Sequence, residues 1–189
     1  MSSMDEDVRE RILGTASRLF YREGARAVGI DRVIEDAGVA KASLYRHFRS
    51  KDELIAAFLK REDEDFWSCW DEVAQRHRDD ARAELDAHMQ WIGERVARHN
   101  YRGCPQLNIA SEFPDANHPA RTVAVTHKNQ LRRRLRGIAE RLGVRDPEQL
   151  ATQLLLVING AFVSTHVLEG TDAATLLTDT AHALTAVSS

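Results

Sequence analysis

Between residues 41 and 51 the chain reads KASLYRHFRSK, which carries Lys41, Arg46, His47, Arg49 and Lys51 and no acid. The bias is local, because the 189-residue chain as a whole has a net charge of -3. These residue types suit recognition rather than turnover. A guanidinium presents a planar fork of donors that fits the edge of a guanine, while hydroxyls and ammonium groups suit phosphate oxygens.

Such side chains need an element that holds them to one side. On a helix of about 100° per residue, Leu44 and Phe48 fall together and pack inward. Ala42, Ser43, Arg46 and Arg49 then lie on the far side, with Lys41 and Tyr45 on one flank and His47 on the other. Small Ala42 permits close approach and contact with a thymine methyl. Arg46 is the expected base reader; Ser43, Tyr45 and His47 suit phosphate. Lys51 opens the next helix, where its charge and free backbone N–H groups converge on a phosphate. The small-residue turn Ala37-Gly38-Val39-Ala40 leads in. Turn and helix together read as the second half of a helix-turn-helix that enters a DNA major groove. The competing reading is an ordinary solvated amphipathic helix.

Helical signals dominate the remainder, and no convincing alternating strand is found. Ser3 with Glu6 forms a capping box, and Val8, Ile12, Ala16, Leu19 and Phe20 share one face of a first helix that Gly24 ends. Gly29 opens a short second helix, with Asp31 in its first turn, and Gly38 closes it. Ser50 and Glu53 start a long fourth helix from Lys51 to about His77, lined by Leu54, Phe58, Phe66 and Trp70, with Glu62 to Asp65 as a solvated face. After Asp79-Asp80 a fifth helix carries Leu85, Met89, Ile92 and Val96. A short sixth helix spans about Gln106 to Glu112, and a seventh runs from Pro119 to Gly143. Asp146-Pro147-Glu148-Gln149 starts an eighth helix, expected to reach Glu169 before Gly170. Thr171 is the expected cap of a ninth, with Leu176, Leu177, Leu184 and Val187 as its apolar stripe. The fold class is therefore all-α, with about nine helices. A helix-turn-helix domain of three helices occupies residues 1–50, and the long fourth helix joins it to a larger helical domain over 51–189.

The run FYREGARAVGIDRVIEDAGVAKASLYRHFRSKDEL resembles the N-terminal domain of the TetR family of bacterial transcriptional regulators. Phe20, Gly24, Ala37-Gly38-Val39, Leu44-Tyr45, His47-Phe48 and Ser50-Lys51 carry the match. Gly29, Ile34 and Ala40 depart from it: Gly29 and Ala40 stand where Ser or Thr often caps a helix, and Ile34 replaces a common Ala. The resemblance implies a cytoplasmic, ligand-responsive DNA-binding regulator, more often a repressor, released from a palindromic operator by a small effector. It also implies that residues 51–189 bind that effector and dimerise. The eighth helix, with Leu150, Leu154, Val157, Ile158, Ala161 and Phe162, has more apolar surface than one face requires. With the ninth helix it fits the four-helix bundle of a homodimer; a monomer's core is the other reading.

The stretch RGCPQLNIASEFPDANHPAR resembles a motif found in a subset of TetR-like C-terminal domains, where it borders the ligand cavity. Pocket candidates are Trp67, Trp70, Met89, Trp91, Ile92, Cys104, Leu107, Phe113, Val123 and His127, with Asn108, Glu112, His127, Asn159 and His166 as polar anchors. For any single one of them plain core packing is the better reading. Their Trp and Met content favours an apolar or aromatic effector.

Other classes are weighed as follows. Apolar residues make up 43% and charged residues 29%, as in a soluble domain. The N-terminus reads as no signal peptide, and the run Leu154 to Val163 is too short to span a membrane. Cys69 and Cys104 are expected to be free thiols; Cys104, near Arg102, raises a redox-sensor reading, against which a lone buried Cys is more often inert. The histidines show no paired metal spacing, so neither a metal nor a cofactor is expected. A helical enzyme using His127, Glu112 or Cys104 is the alternative function; no nucleophile–base spacing or glycine-rich phosphate loop supports it. Arg132, Arg133, Arg134 and Arg136 read as the solvent face of the seventh helix.

Overall fold

A computed structural model describes residues 3–164, 167 and 170–188, with the backbone alone at residues 3 and 4. Among these residues the elements are all helical: α1 (Ser3–Glu23), α2 (Ile30–Ala37), α3 (Lys41–His47), α4 (Lys51–Arg76), α5 (Ala81–Val96), α6 (Pro105–Glu112), α7 (Pro119–Arg141), α8 (Pro147–Val163) and α9 (Ala173–Ser188). They form two compact units, residues 1–64 with 105–126, and residues 65–104 with 127–189.

The first unit is built on α1. Ile12, Ala16, Leu19 and Phe20 are buried along one side of it and meet Val33 and Ala37 of α2, Leu44 and Phe48, and Leu54, Ile55, Phe58 and Leu59 of α4. Phe20 and Phe58 meet edge to face at 6.0 Å between ring centroids. Full burial of Leu44 and Phe48 contributes roughly 1.5–3 kcal/mol each and fixes the roll of a helix only seven residues long. Gly38, at φ 62°, closes α2. Its N–H reaches Glu35 O at 3.0 Å and the Val39 N–H reaches Ile34 O at 3.2 Å. This is a Schellman cap, and its left-handed residue favours glycine. At the head of α4, Ser50 Oγ accepts the Glu53 N–H at 3.1 Å while Glu53 Oε2 accepts the Arg49 N–H at 2.8 Å. The same core includes Ile109 of α6 and Ala120 of α7.

In the second unit, Asp80 caps α5 by accepting from the Arg82 and Ala83 N–H groups at 2.9 and 3.0 Å. Asp146 caps α8 through the Gln149 N–H at 2.9 Å, with Pro147 in the first turn. Helices α5 and α9 pack at a close crossing: a Cβ added to Gly93 would lie 2.3 Å from Ala174 Cα.

Four expectations change. Helix α8 stops at Val163, with Ser164 as its C-cap, rather than at Glu169, which lies outside the described residues together with His166. Asp172, not Thr171, caps α9, accepting the Thr175 N–H at 3.1 Å. The buried face of α9 is Ala173, Ala174, Leu177, Ala181 and Thr185, whereas Leu176 and Val187 are exposed. Finally, Arg134 is not simply solvated: it pairs with Asp71 and stacks 4.4 Å from the Trp67 ring. Helix α1 begins at Ser3 itself, and the side chain needed for the expected Ser3 cap lies outside the described set.

Candidate nucleic-acid interface

Helix α3 starts at Ala40, which has extended backbone (φ -71°, ψ 146°) and no side-chain cap. Lys41, Ala42, Tyr45 and Arg46 are exposed along α3, Ser43 is half-buried, and Arg49 is exposed just beyond. Tyr45 keeps 43% of its surface open. The inward pair Leu44 and Phe48 thus turns the polar set outward.

Several cations on this face have partners. Lys41 Nζ donates to Asp31 Oδ1 of α2 at 3.1 Å, and this bond raises the ammonium above its usual range. Arg46 Nη2 donates to Asp5 Oδ1 of α1 at 3.0 Å. His47 Nε2 lies 3.3 Å from the same oxygen, and the His47 side chain keeps only 6% of its surface. His47 is therefore tucked under the reading face, not open on its flank as the helical wheel places it. Lys51 Nζ donates to Arg26 O at 3.2 Å; partial burial pushes its pKa down, opposed by Glu112 and Asp52. Arg26 is gripped through both of its backbone groups, since its N–H donates to Glu112 Oε2 at 2.6 Å.

The pocket candidates separate into two sets. Trp67, Trp70, Met89, Ile92, Cys104 and His127 belong to the second unit, and Leu107, Asn108, Phe113 and Val123 to the first. In the second unit, Trp67 and His127 come together around Phe66, at centroid distances of 5.0 and 4.9 Å, with Trp70 and Trp91 beside them. Met89 and Ile92 are fully buried, and Cys104 nearly so. In the first unit, Phe113 and Val123 pack against the core, and Phe113 stacks on His118 at 4.2 Å.

Two residues that the sequence reading passed over stand out in the second unit. His88 is fully buried and stacks on Trp70 at 3.6 Å, and burial pushes its pKa down to about 3. Lys128 Nζ donates to Asn159 Oδ1 at 2.8 Å, contacts Cys104 Sγ at 3.6 Å and lies 5.0 Å from the Phe162 ring centroid. Desolvation lowers its pKa, opposed by Cys104. The signal for Lys128 was available: it occupies the stripe Ala124, Leu131, Leu135, whose spacing makes an inward face. Among the described residues no group of His, Cys, Asp and Glu could hold a metal ion, and no helix is long and apolar enough to cross a membrane.

Three helices, α1 to α3, with the basic one turned outward, in a chain whose described elements are all helical, make the arrangement of a helix-turn-helix DNA-binding regulator. A family model described as bacterial regulatory proteins, tetR family, matches residues 12–58. A second, described as a tetracyclin repressor-like C-terminal domain, matches residues 81–181. The chain belongs to the TetR family of transcriptional regulators. Among solved structures it is similar to a TetR-family transcriptional regulator from Streptomyces coelicolor, with a TM-score of 0.90 and 26% identity over 97% of this chain and 96% of that one. It is also similar to a TetR-type regulator from Streptomyces avermitilis, with a TM-score of 0.81 and 35% identity over 96% and 97%. Among curated relatives, the regulator YxaF of Bacillus subtilis is 29% identical over 63% of each chain. The transcriptional repressor NemR of Escherichia coli is 26% identical over 63% of this chain and 60% of its own. The matched region thus spans less than two thirds of these two relatives.

Proposed function

We propose that this regulator is a repressor that binds a palindromic operator as a homodimer and is released by a small apolar or aromatic effector. The observation that carries the DNA half is the division of α3, with Leu44 and Phe48 buried and Lys41, Ala42, Tyr45 and Arg46 exposed. In this reading residues 1–50 contact DNA and residues 51–189 bind the effector and dimerise. Arg46 reads a guanine edge, a contact worth roughly 1–3 kcal/mol of discrimination. Ala42 lies against a base, and Ser43, Tyr45, Lys41 and Lys51 hold phosphates. His47, tucked against Asp5, has a smaller part than its position in the sequence implied.

Dimerisation is supported by apolar and small residues left open on α8 and α9. Leu156, Gly160 and Val163 are exposed at spacings of four and three, and Leu176, Thr180, Ala183 and Val187 at four, three and four. These are the intervals of a helical seam, which two copies would bury in a four-helix bundle. A relative that carries the name repressor supports the direction of regulation. The effector is expected among the aromatic residues Trp67, Trp70 and His127. Its effect on DNA affinity is reciprocal, so an effector that loosens DNA binds less tightly to the DNA-bound form, with a typical coupling of about 1–3 kcal/mol.

The test is a gel shift with a duplex selected from random-sequence DNA. Arg46→Ala and Tyr45→Ala should each abolish or strongly weaken the shifted complex. Normal binding by both variants overturns the assignment of α3.

A further inference from the structure

Each exposed cation of α3 is held by a carboxylate from a helix outside it, and one carboxylate does double duty. Asp5, in the first turn of α1, faces Arg46 at 3.0 Å and His47 at 3.3 Å through the same oxygen. We propose that Asp5 is a specificity-determining residue, a positioning group that keeps the Arg46 guanidinium aimed at a base edge and away from random phosphates. The proposal rests on the reading of α3 as the DNA-contacting helix.

The geometry supports retention of the pair on DNA. A guanidinium has five N–H donors, and Asp5 engages only Nη2, which leaves a fork free for guanine N7 and O6. Asp5 stands 3.3 Å from Nε2 of the nearly buried His47 ring, and its negative charge lies at the favourable end of α1. Arg46, with 60% of its side chain open, would otherwise sweep a wide arc. A base contact keeps the Asp5 pair, whereas a swing to a phosphate forfeits it. Asp5 therefore subtracts from sequence-independent binding and leaves the guanine contact whole. Exposed ion pairs are individually weak, so the expected gain in discrimination is about two- to five-fold. It acts against wrong sites rather than for the right one.

The test compares two probes by fluorescence anisotropy: a fluorescein-labelled duplex recovered by selection with the wild-type protein, and a random-sequence duplex at the same salt. Asp5→Asn should bind the random duplex more tightly and lower the ratio of the two affinities by about two- to five-fold. Asp5→Glu should restore the ratio. In an Arg46→Gln background, Asp5→Asn should leave the ratio unchanged, since the residue acts through Arg46. Thermal melts of each variant check that folding is intact. An unchanged ratio in Asp5→Asn, or the same fall in the Arg46→Gln background, overturns the proposal; the latter marks simple removal of charge. If the wild-type protein selects no sequence and shows no salt-dependent association with duplex, the DNA reading itself falls and takes this proposal with it.

Discussion

Replacement of His88 by Phe should remove a defined part of the acid sensitivity of the fold. His88 lies fully buried, face to face with Trp70 at an interplanar angle of 15°, and neither ring nitrogen makes a hydrogen bond. Burial is the main cause of its depressed pKa; Arg134, His77 and Arg141 push the same way, and Asp71 opposes them. Glu84 Oε1 stands 3.7 Å from Nε2. The sign follows from linkage. The imidazole titrates near 6.5 in the unfolded chain and near 3 in the fold. Between those values the unfolded state holds the extra proton, so stability falls as pH falls. At pH 5, one and a half units below 6.5, a loss of about 1.4 kcal/mol per unit amounts to about 2 kcal/mol relative to pH 7. That figure depends on the unfolded value alone, because the folded imidazole is still neutral at pH 5. Asp36 and Asp172, whose pKa values are lowered from 3.8, contribute stability that is lost only as pH falls below about 4, outside the window. Urea unfolding of wild type and His88→Phe at pH 7 and pH 5, at fixed ionic strength, measures the difference. Phe preserves the stack on Trp70, so a fit penalty shifts both pH values equally and only the change with pH matters. If the two proteins lose stability in parallel between pH 7 and pH 5, His88 is not held neutral by the fold.

Two further outcomes test the packing and the caps. Gly93→Ala should lower stability by about 1–3 kcal/mol, since the new methyl meets the backbone of Ala174 and outweighs the helix propensity gained. For a chain of this size the melting temperature should drop by about 2–4 °C per kcal/mol, and an unchanged or raised value refutes the close α5–α9 crossing. Ala40→Ser should raise stability by about 0.5–2 kcal/mol, because the extended backbone at Ala40 is already that of a cap and lacks only the side-chain oxygen. Urea midpoints with an unchanged slope would show the gain; no shift would mean that the start of α3 is satisfied by other means.

Elements whose ends are encoded within a few residues were legible in the sequence. Gly24, Gly38, the Ser50 and Glu53 pair, and Asp146-Pro147 each act through their own backbone neighbourhood, and the helices begin or end where they stand. Two features of the second unit were not legible. The end of α8 at Val163 is one, because no glycine or proline stands between it and Gly170 to mark it. The buried face of α9 was misread because its alanines count for little on a hydrophobicity scale, yet they make the close approach to Gly93 possible. Of the candidate site, the inward and outward faces of α3 followed from periodicity. The partners of its cations did not, because Asp5 and Arg46 are 41 positions apart and nothing local relates them.

The first unit also changes the meaning of the GCP-containing stretch. In sequence, residues 105–112 fall within the match to the C-terminal family model, far from the reading helix. In packing terms they belong with it: Ile109 is buried in the same cluster as Leu44, and Gln106 Nε2 donates to Leu59 O of α4 at 3.0 Å. At the far end of α6, Glu112 holds the Arg26 N–H while Lys51 holds the Arg26 carbonyl. A displacement of α6 by one or two ångströms would break the 2.6 Å bond to Arg26 or drag that peptide with it. The Lys51 contact at the head of α4 would then lose its fixed partner. The link between α6 and the start of α4 that passes through Arg26 therefore uses the peptide groups on either side of one residue, inside the unit that carries α3.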